Sequence, residues 1–452
     1  MNKRIVILGG GESGVGAARL AHAKGFDVFL SDKGTLSEKH KRELITYQIP
    51  FEEGTHSEEK ILNADEVIKS PGIPQNTPLM LKIREKKIKV SSEIDFASRY
   101  TAAKIVAITG TNGKTTTTLL TYHLLKTAGF SVGLAGNIGD SFARMVLEKN
   151  YDYYVLEISS FQLEDIHSFR PHVGVLLNIT PDHLDRYDYQ MNNYAAAKFR
   201  IIDYVQAEDF FIYNADDTYC ETLAKSGRVK AQLIPFSNKF HQGDVLHIPH
   251  PFSKNLLTFK KLPLRGEHNA LNMSAAILAA LCMNVSSDAI LTNLTSFKNA
   301  PHRLEDVATI NGVLFINDSK ATNVDSVKYA LGAFKNPIVW IVGGIDKGND
   351  YQLIMDLVKK HVKAIVCLGK NNQPIQEAFA PIFGKLAETQ DMSEAIRIAF
   401  SLAQPNDVVL LSPACASFDL FKNYEDRGNQ FREKVLELKK QLSEKNPTAT
   451  TQ

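Results

Sequence analysis

Cysteine is scarce. Only Cys220, Cys282, Cys367 and Cys415 occur in 452 residues, widely separated and without a C-x-x-C pair. That excludes a disulfide framework and a cysteine-built metal site, and it points to a reducing, cytoplasmic setting. No apolar run reaches 18 residues, so no membrane-spanning helix is expected. The opening MNKRIVILGGG has an apolar run of strand length ending in glycines, too short for a signal peptide. Charge imbalance is also missing: 52 Lys and Arg stand against 50 Asp and Glu, a formal net charge of +2. With no basic stripe, neither a nucleic acid nor a membrane surface is an expected partner. Internal repeats and low-complexity stretches are absent too. What remains is an ordinary globular composition, 44% hydrophobic and 23% charged, over a length that suits two to four domains.

Against that plain background, residues 105–118, IVAITGTNGKTTTT, stand out. A buried strand (Ile105–Thr109) runs into Gly110-Thr111-Asn112-Gly113-Lys114-Thr115-Thr116 and then into an apolar-periodic helix. A glycine turn at a helix N-terminus collects unpaired N–H groups and the positive end of the helix dipole, which suits a phosphate. Lys114 can reach β- and γ-phosphates, and the Thr115 hydroxyl can ligate Mg²⁺. Two residues separate the glycines, where the common P-loop has four, so the pattern is G-x-x-G-K-T. It reads as a nucleoside triphosphate site.

The N-terminal strand Arg4–Leu8 leads into Gly9-Gly10-Gly11-Glu12-Ser13-Gly14, and a second strand ends at Asp32. This G-x-G-x-x-G layout fits a phosphate-bearing ligand, or tight helix packing alone. Ser70-Pro71-Gly72 follows a further strand, where ligands approach an open α/β sheet. A first domain over 1–93 is expected to close there. In a second domain, 94–299, Glu157 stands at the tip of an apolar strand before Ser159. A carboxylate there is costly unless it meets a cation, and Mg²⁺ on the phosphates is a natural partner. Asn137 lies in a glycine-flanked loop, His183 in PDHLDR after another strand, and Lys198 among alanines on a helix, where a solvated lysine is the ordinary reading. Residues 228–262 read as a small antiparallel sheet, and Asn272 sits near the start of an alanine-rich helix. A third domain, 300–452, alternates strands and helices as a parallel sheet does. Arg303 stands before its first strand pair, and its strand ends carry Asp318, Lys320, Thr322, Lys347 and Ser417. Cys415 has no local His and has alanine neighbours, which points to packing. The Asn446–Gln452 tail is expected to be mobile.

In sequence order, GTNGKTT, the LEISS glutamate, DHLDR, AAAK, HNxxN, PHR and DSKATN are similar to the motifs of the Mur ligase family, along essentially the whole chain. The segments GGIDKG and LSPACASFDLFKNYEDRGNQF resemble its D-glutamate-adding branch. The resemblance implies a three-domain α/β fold: an N-terminal Rossmann-like domain, a central P-loop ATPase-like parallel sheet with a small antiparallel sheet, and a C-terminal Rossmann-like domain. It implies a cytoplasmic, monomeric, ATP-dependent ligase of peptidoglycan synthesis that joins D-glutamate to UDP-N-acetylmuramoyl-L-alanine. By the same resemblance, Gly110–Thr116 with Asn272, Arg303 and Asp318 hold ATP. Two Mg²⁺ ions fall to Thr115 with Glu157, and to His183 with a carbamylated Lys198. Gly11, Ser13, Gly14, Asp32, Ser70, Gly72, Asn137, Ser159 and His183 take the UDP-linked substrate. Lys320, Thr322, Lys347, Ser417 and Tyr424 take D-glutamate, Tyr424 standing where a Phe is familiar. Lys114, Glu157, His183, Lys198 and Lys320 are the expected catalytic set. An L-alanine-adding Mur ligase or a folylpolyglutamate synthase has the same architecture. A nicotinamide-dependent oxidoreductase built on 1–93 is a rival from another class, and it leaves Gly110–Thr115 without a role.

Overall fold

The computed structural model describes residues 2–243 and 245–445, so the Asn446–Gln452 tail lies outside the described residues. The chain forms two compact units. One runs to Pro263 and resumes over Ala270–Phe297; the other combines Leu264–Asn269 with the chain from Lys298 onward.

The first unit holds three sheets. Strands β1 (Arg4–Leu8), β2 (Asp27–Asp32), β3 (Phe51–Glu53), β4 (Glu66–Lys69) and β5 (Lys89–Ser91) form a parallel sheet in the order β3-β2-β1-β4-β5. Register pairs Leu8 with Ser31 on one side and with Lys69 on the other. Asp32 and Ser70 therefore flank the glycine turn that leaves β1.

A second parallel sheet comprises β6 (Lys104–Thr109), β7 (Val132–Gly136), β8 (Tyr153–Glu157), β9 (Val173–Leu176), β10 (Phe210–Asn214) and β11 (Gln232–Phe236), ordered β11-β10-β9-β6-β8-β7. The chain leaves β6 for the edge strand β7, returns through β8, then crosses to β9. The crevice at the carboxyl end of β6 is thus the topological switch point where such sheets take ligands. Ile108 pairs with Glu157 and Thr109 with Leu176, so Glu157 and Asn178 border the loop after β6. The antiparallel sheet expected over 228–262 is present but smaller: β12 (His241–Gln242), β13 (Val245–Pro249) and β14 (Leu256–Phe259) form it. Gln232–Phe236 instead extends the parallel sheet along β10.

The second unit carries a mixed sheet of β15 (Glu305–Ile310), β16 (Val313–Asn317), β17 (Ile338–Val342), β18 (Val362–Leu368), β19 (Ala387–Thr389) and β20 (Val408–Leu411), ordered β15-β16-β20-β17-β18-β19. Only β15 runs antiparallel, a hairpin edge that caps an otherwise parallel sheet. β17 is buried along its whole length, which explains its unbroken IVWIV.

One contiguous apolar cluster joins the two large sheets of the first unit, from Ile5 and Leu30 through Phe96 and Phe142 to Leu156 and Phe211. A buried carboxylate sits in this seam. Glu93 opens the helix Glu93–Ser98 and accepts from Ser141 Oγ (2.9 Å) and Ala143 N (2.6 Å). Burial pushes its carboxyl up to about 7, against those two donors. A folded-state value above the unfolded one means that the native state binds the extra proton between pH 4.5 and 7. The stabilisation is complete below about pH 4.5 and is lost as pH rises through 7, at most about 3 kcal/mol. Glu93→Gln, which keeps the accepting oxygen, should therefore raise the thermal midpoint at pH 8 and much less at pH 5. An equal shift at both pH values would rule out the linkage.

Candidate active site

The loop after β6 is built by glycines that nothing larger can replace. Gly110 has φ +155° and a Cβ there would press on Leu177; Gly113 has φ +85° and a Cβ would run into the Asn272 amide. Gly113 caps the helix Lys114–Thr127. Asn178, which sequence reasoning passed over, holds the loop's shape. Its Oδ1 accepts from Asn112 N (2.8 Å), its Nδ2 donates to Asn112 O (3.0 Å), and its carbonyl accepts from Thr111 N (2.9 Å). Thr111 Oγ1 lies 3.1 Å from the buried Tyr194 hydroxyl.

Two lysines meet at one carbonyl. Lys114 Nζ donates to Gly110 O (2.9 Å) and Thr111 O (2.8 Å), and Lys198 Nζ donates to Gly110 O at 2.8 Å. Lys198 is 1% exposed. Burial, with the Lys114 charge beside it, drives its amine well below the usual lysine value. The solvated lysine that composition alone suggests is replaced by a buried amine 4.7 Å from the Tyr194 ring centre.

Glu157 is 2% exposed. Its Oε1 accepts from Asn137 Nδ2 at 2.8 Å, while Oε2 is buried without a hydrogen-bond partner. An orphaned carboxylate oxygen beside a phosphate-type loop is the donor a hard cation takes. Among the described residues no trio of His, Cys, Asp or Glu converges to make a self-sufficient metal cage. The set fits an ion carried largely by nucleotide phosphates, as Mg²⁺ usually is. Ser159 caps the short helix Ser160–Leu163 in a reciprocal box with Gln162. His183 is in a left-handed conformation (φ 51°), exposed, with its ring edge-on to Phe161 at 5.2 Å. His183, Phe161, Arg186 and Gly72 line one cavity of about 670 Å³. Arg186, another residue that motif reading left without a role, donates to Pro71 O (2.6 Å) and Glu164 Oε2 (3.0 Å). Below it, the fully buried Lys69 pairs with Asp165 at 3.1 Å. Together these contacts pin the Ser70–Gly72 turn.

At the N-terminal turn the glycines divide by cause. Gly9 (φ +94°) abuts Ser70, and a Cβ on Gly14 would run into Gly9 O. Gly11 is different: its φ is −73° and a Cβ would meet nothing within 4 Å. Gly72 likewise has open space where a Cβ would point. Neither packing nor conformation asks for those two glycines, and both face open space. Asp32 bonds the backbone N–H groups of Gly10 (2.5 Å) and Gly34 (2.6 Å), so it shapes the turn. Ser13 is half-buried just inside the helix Glu12–Ala23.

In the second unit, the loops after β16, β20 and β17 lie side by side because those strands are neighbours. Asp318 is buried, accepting from Ser412 Oγ (2.9 Å) and Leu304 N (3.2 Å), and burial pushes its carboxyl up to about 7. Arg303, whose charge acts on Asp318, lies between left-handed His302 and Leu304. Lys320 Nζ sits 3.6 Å from the Tyr424 ring centre; Ser417 is buried, whereas Thr322 and Lys347 are exposed. Arg427, quoted in the sequence but given no role, holds these loops together. Its buried guanidinium donates to Ser319 Oγ (3.0 Å), Ser319 O (3.0 Å), Cys415 O (3.2 Å) and Gly343 O (3.4 Å). Burial lowers it to about 10. Cys415 is buried and its thiol is pushed up to about 11, the packing role expected of it.

Known proteins match along the whole chain. Residues 4–79 match the MurD N-terminal domain, 108–280 the Mur ligase middle domain, and 302–415 the Mur ligase, glutamate ligase domain. The UDP-N-acetylmuramoylalanine–D-glutamate ligase of Cytophaga hutchinsonii is 52% identical over 449 residues, covering 97% of this chain and 100% of that one. The ligase of the same name from Bacteroides fragilis is 49% identical over 96% of this chain and 100% of its own, and that of Salinibacter ruber 42% over 96% and 98%. Among solved structures, a pseudomurein peptide ligase type C from Methanothermus fervidus has a TM-score of 0.59 at 21% identity. It is covered completely and covers 97% of this chain. The UDP-N-acetylmuramate-alanine ligase of Thermotoga maritima also scores 0.59, at 19% identity, over 97% of this chain and 100% of its own. At such identities those two likenesses bear on the fold alone. With three family segments in order, and identities of 42 to 52% to relatives that match end to end, the chain belongs to the Mur ligase family.

Proposed function

We propose that the chain joins D-glutamate to UDP-N-acetylmuramoyl-L-alanine at the expense of ATP, releasing ADP and phosphate, in peptidoglycan precursor synthesis. The observation that carries this reading is the full-length identity to ligases of that name. It works as a cytoplasmic monomer with neither nucleic acid nor membrane as partner, and no described helix is long and apolar enough to cross a membrane. Three domains divide the work: 1–93 the UDP end, 94–299 ATP, and 300–452 the amino acid.

The substrate carboxylate attacks the γ-phosphorus; the bond from phosphorus to the ADP oxygen breaks and an acyl phosphate forms. The D-glutamate amine then attacks the acyl carbon, sheds a proton, and phosphate leaves. Phosphoryl transfer asks the protein for position and charge neutralisation. Lys114 swings from the loop carbonyls to the γ-phosphate, and the Gly110–Thr116 N–H groups cradle the chain. Asn272, Arg303 and Asp318 hold base and ribose. Thr115 and Glu157 would hold one Mg²⁺ ion and His183 and Lys198 a second, and the ions would supply neutralisation of the phosphates. Lys198, an amine that burial drives well below the usual lysine value, is suited to carbamylation, which would turn it into an oxygen ligand. Gly11, Ser13, Gly14, Asp32, Ser70 and Gly72 seat the UDP moiety; Asn137, Ser159 and His183 guide the muramoyl-alanine carboxylate. Lys320, Thr322, Lys347, Ser417 and Tyr424 grip D-glutamate, with Arg427 beneath them.

The test is phosphate release from ATP and UDP-N-acetylmuramoyl-L-alanine with a panel of amino acids. D-glutamate should stimulate release at least about a hundredfold over L-glutamate, L-alanine or a diamino acid, since a site built around polar groups rejects poor matches strongly. Release with another amino acid and none with D-glutamate would overturn the assignment.

A further inference from the structure

Glu12 occupies an awkward place. It is the first residue of the helix Glu12–Ala23, directly after Gly11, where the helix dipole and free N–H groups favour an anionic ligand. A carboxylate there competes with a diphosphate for the same positive potential. Its surroundings show how that conflict is managed. Glu12 Oε1 accepts from Arg144 Nε at 2.7 Å; Oε2 lies 3.3 Å from His40 Nε2 and 3.5 Å from Lys39 Nζ. Lys39 is 74% exposed and its charge is screened by water, whereas the Arg144 side chain is 12% exposed. Burial works against the Glu12 charge, yet Arg144 holds its carboxyl below the usual range, so the group is ionised and needs its partner. Arg144 does not belong to the first sheet at all. It lies on the helix Phe142–Glu148, in the connection between β7 and β8, and also pairs with Glu43, which Arg19 shares. Arg19 and Arg144 also share the more exposed Glu148, so two arginines face three glutamates; Arg19, Arg144 and Glu43 are each 12% exposed and Glu12 33%.

We propose that Arg144 is a charge-compensating and positioning residue for the UDP-linked substrate: it draws the Glu12 carboxylate aside and neutralises it, so that the turn Gly9–Gly14 accepts a diphosphate. The inference rests on the reading that this turn seats UDP. It also gives the first 93 residues a chemical reason to stay registered on the helix Phe142–Glu148.

The decisive measurements are KM for UDP-N-acetylmuramoyl-L-alanine and for ATP, with kcat, in three variants. Arg144→Met should raise KM for the UDP-substrate about tenfold, with ATP KM and kcat within about twofold, as expected for one uncompensated charge near a doubly charged group. Glu12→Gln combined with Arg144→Met should restore KM to within about threefold of the parent, because the charge that needed compensating is gone. Arg144→Lys should behave like the double variant. A double variant as weak as Arg144→Met, or an Arg144→Met with unchanged KM, would overturn the proposal. Gly11→Val separates this from failure of the underlying reading. A Cβ at that position meets no protein atom within 4 Å, so the variant should raise the same KM by blocking ligand approach. If it leaves KM unchanged, the turn does not seat UDP. If it raises KM while Arg144→Met does not, only the compensation fails.

Discussion

Lys114→Ala should lower D-glutamate-dependent phosphate release by about a thousandfold or more, mostly in kcat, since removing one donor aimed at developing charge already costs that order. The structure explains why this loss is chemical and not a collapse of the loop. Lys114 bonds the carbonyls of Gly110 and Thr111, but Gly110 O keeps Lys198 as a donor, and Thr111 and Asn112 remain clamped by Asn178. The loop therefore holds its form without Lys114, and ATP still finds the N–H cradle. Nucleotide affinity should fall only about tenfold, and the thermal midpoint should stay within a few degrees of the parent. Isothermal titration with ATP beside the phosphate-release assay reads both. A variant that binds ATP weakly yet keeps more than a tenth of its turnover would contradict the assigned role.

The parts of this fold legible in the sequence are those where one short stretch carries its own cause. The loop after β6 was readable because strand, glycine pair, lysine and helix are contiguous, and the observed φ angles demand those glycines. Glu157 was readable because a carboxylate ending an apolar strand is anomalous wherever it occurs. β3, β5 and β19 were not, since three residues carry no period to detect. Gln232–Phe236 was placed in the antiparallel region because nothing local distinguishes a parallel edge strand from a hairpin strand; only pairing with β10 does. The arginines were the largest omission. Arg186 and Arg427 stand among polar residues like any solvated arginine, Arg144 sits in the short FARMVLE helix with nothing local to mark it, and each acquires its role from atoms roughly 80 to 130 positions away in the chain, or from a loop brought in by sheet order. Lys198 is the converse case. Its alanine neighbours suggested a solvated helix face, yet those small residues are what let the helix Met191–Phe199 press the lysine under the phosphate loop.

Glu157→Gln should separate stability from activity in opposite directions. In the ligand-free protein, Glu157 Oε2 is buried with no hydrogen-bond partner, a charged atom held where its solvation is lost. A neutral amide is cheaper to bury, and it keeps an oxygen for Asn137, so the substituted protein should unfold about 1 kcal/mol less readily in the absence of nucleotide. Turnover should move the other way, by about a hundredfold to a thousandfold, because in the proposed mechanism this carboxylate would hold Mg²⁺ on the nucleotide phosphates. The concentration of Mg²⁺ needed for half-maximal rate should rise with it. Adding Mg²⁺ and ATP should then reverse the order of the melting curves, the parent gaining more from the ligands than the variant does. A purely structural glutamate predicts the reverse on every count: lower stability, unchanged Mg²⁺ dependence, and a rate within tenfold of the parent. The orphaned oxygen thus turns one substitution into a test of what the strand end is for, since a group kept at a cost to the empty protein must recover that cost when the site is filled.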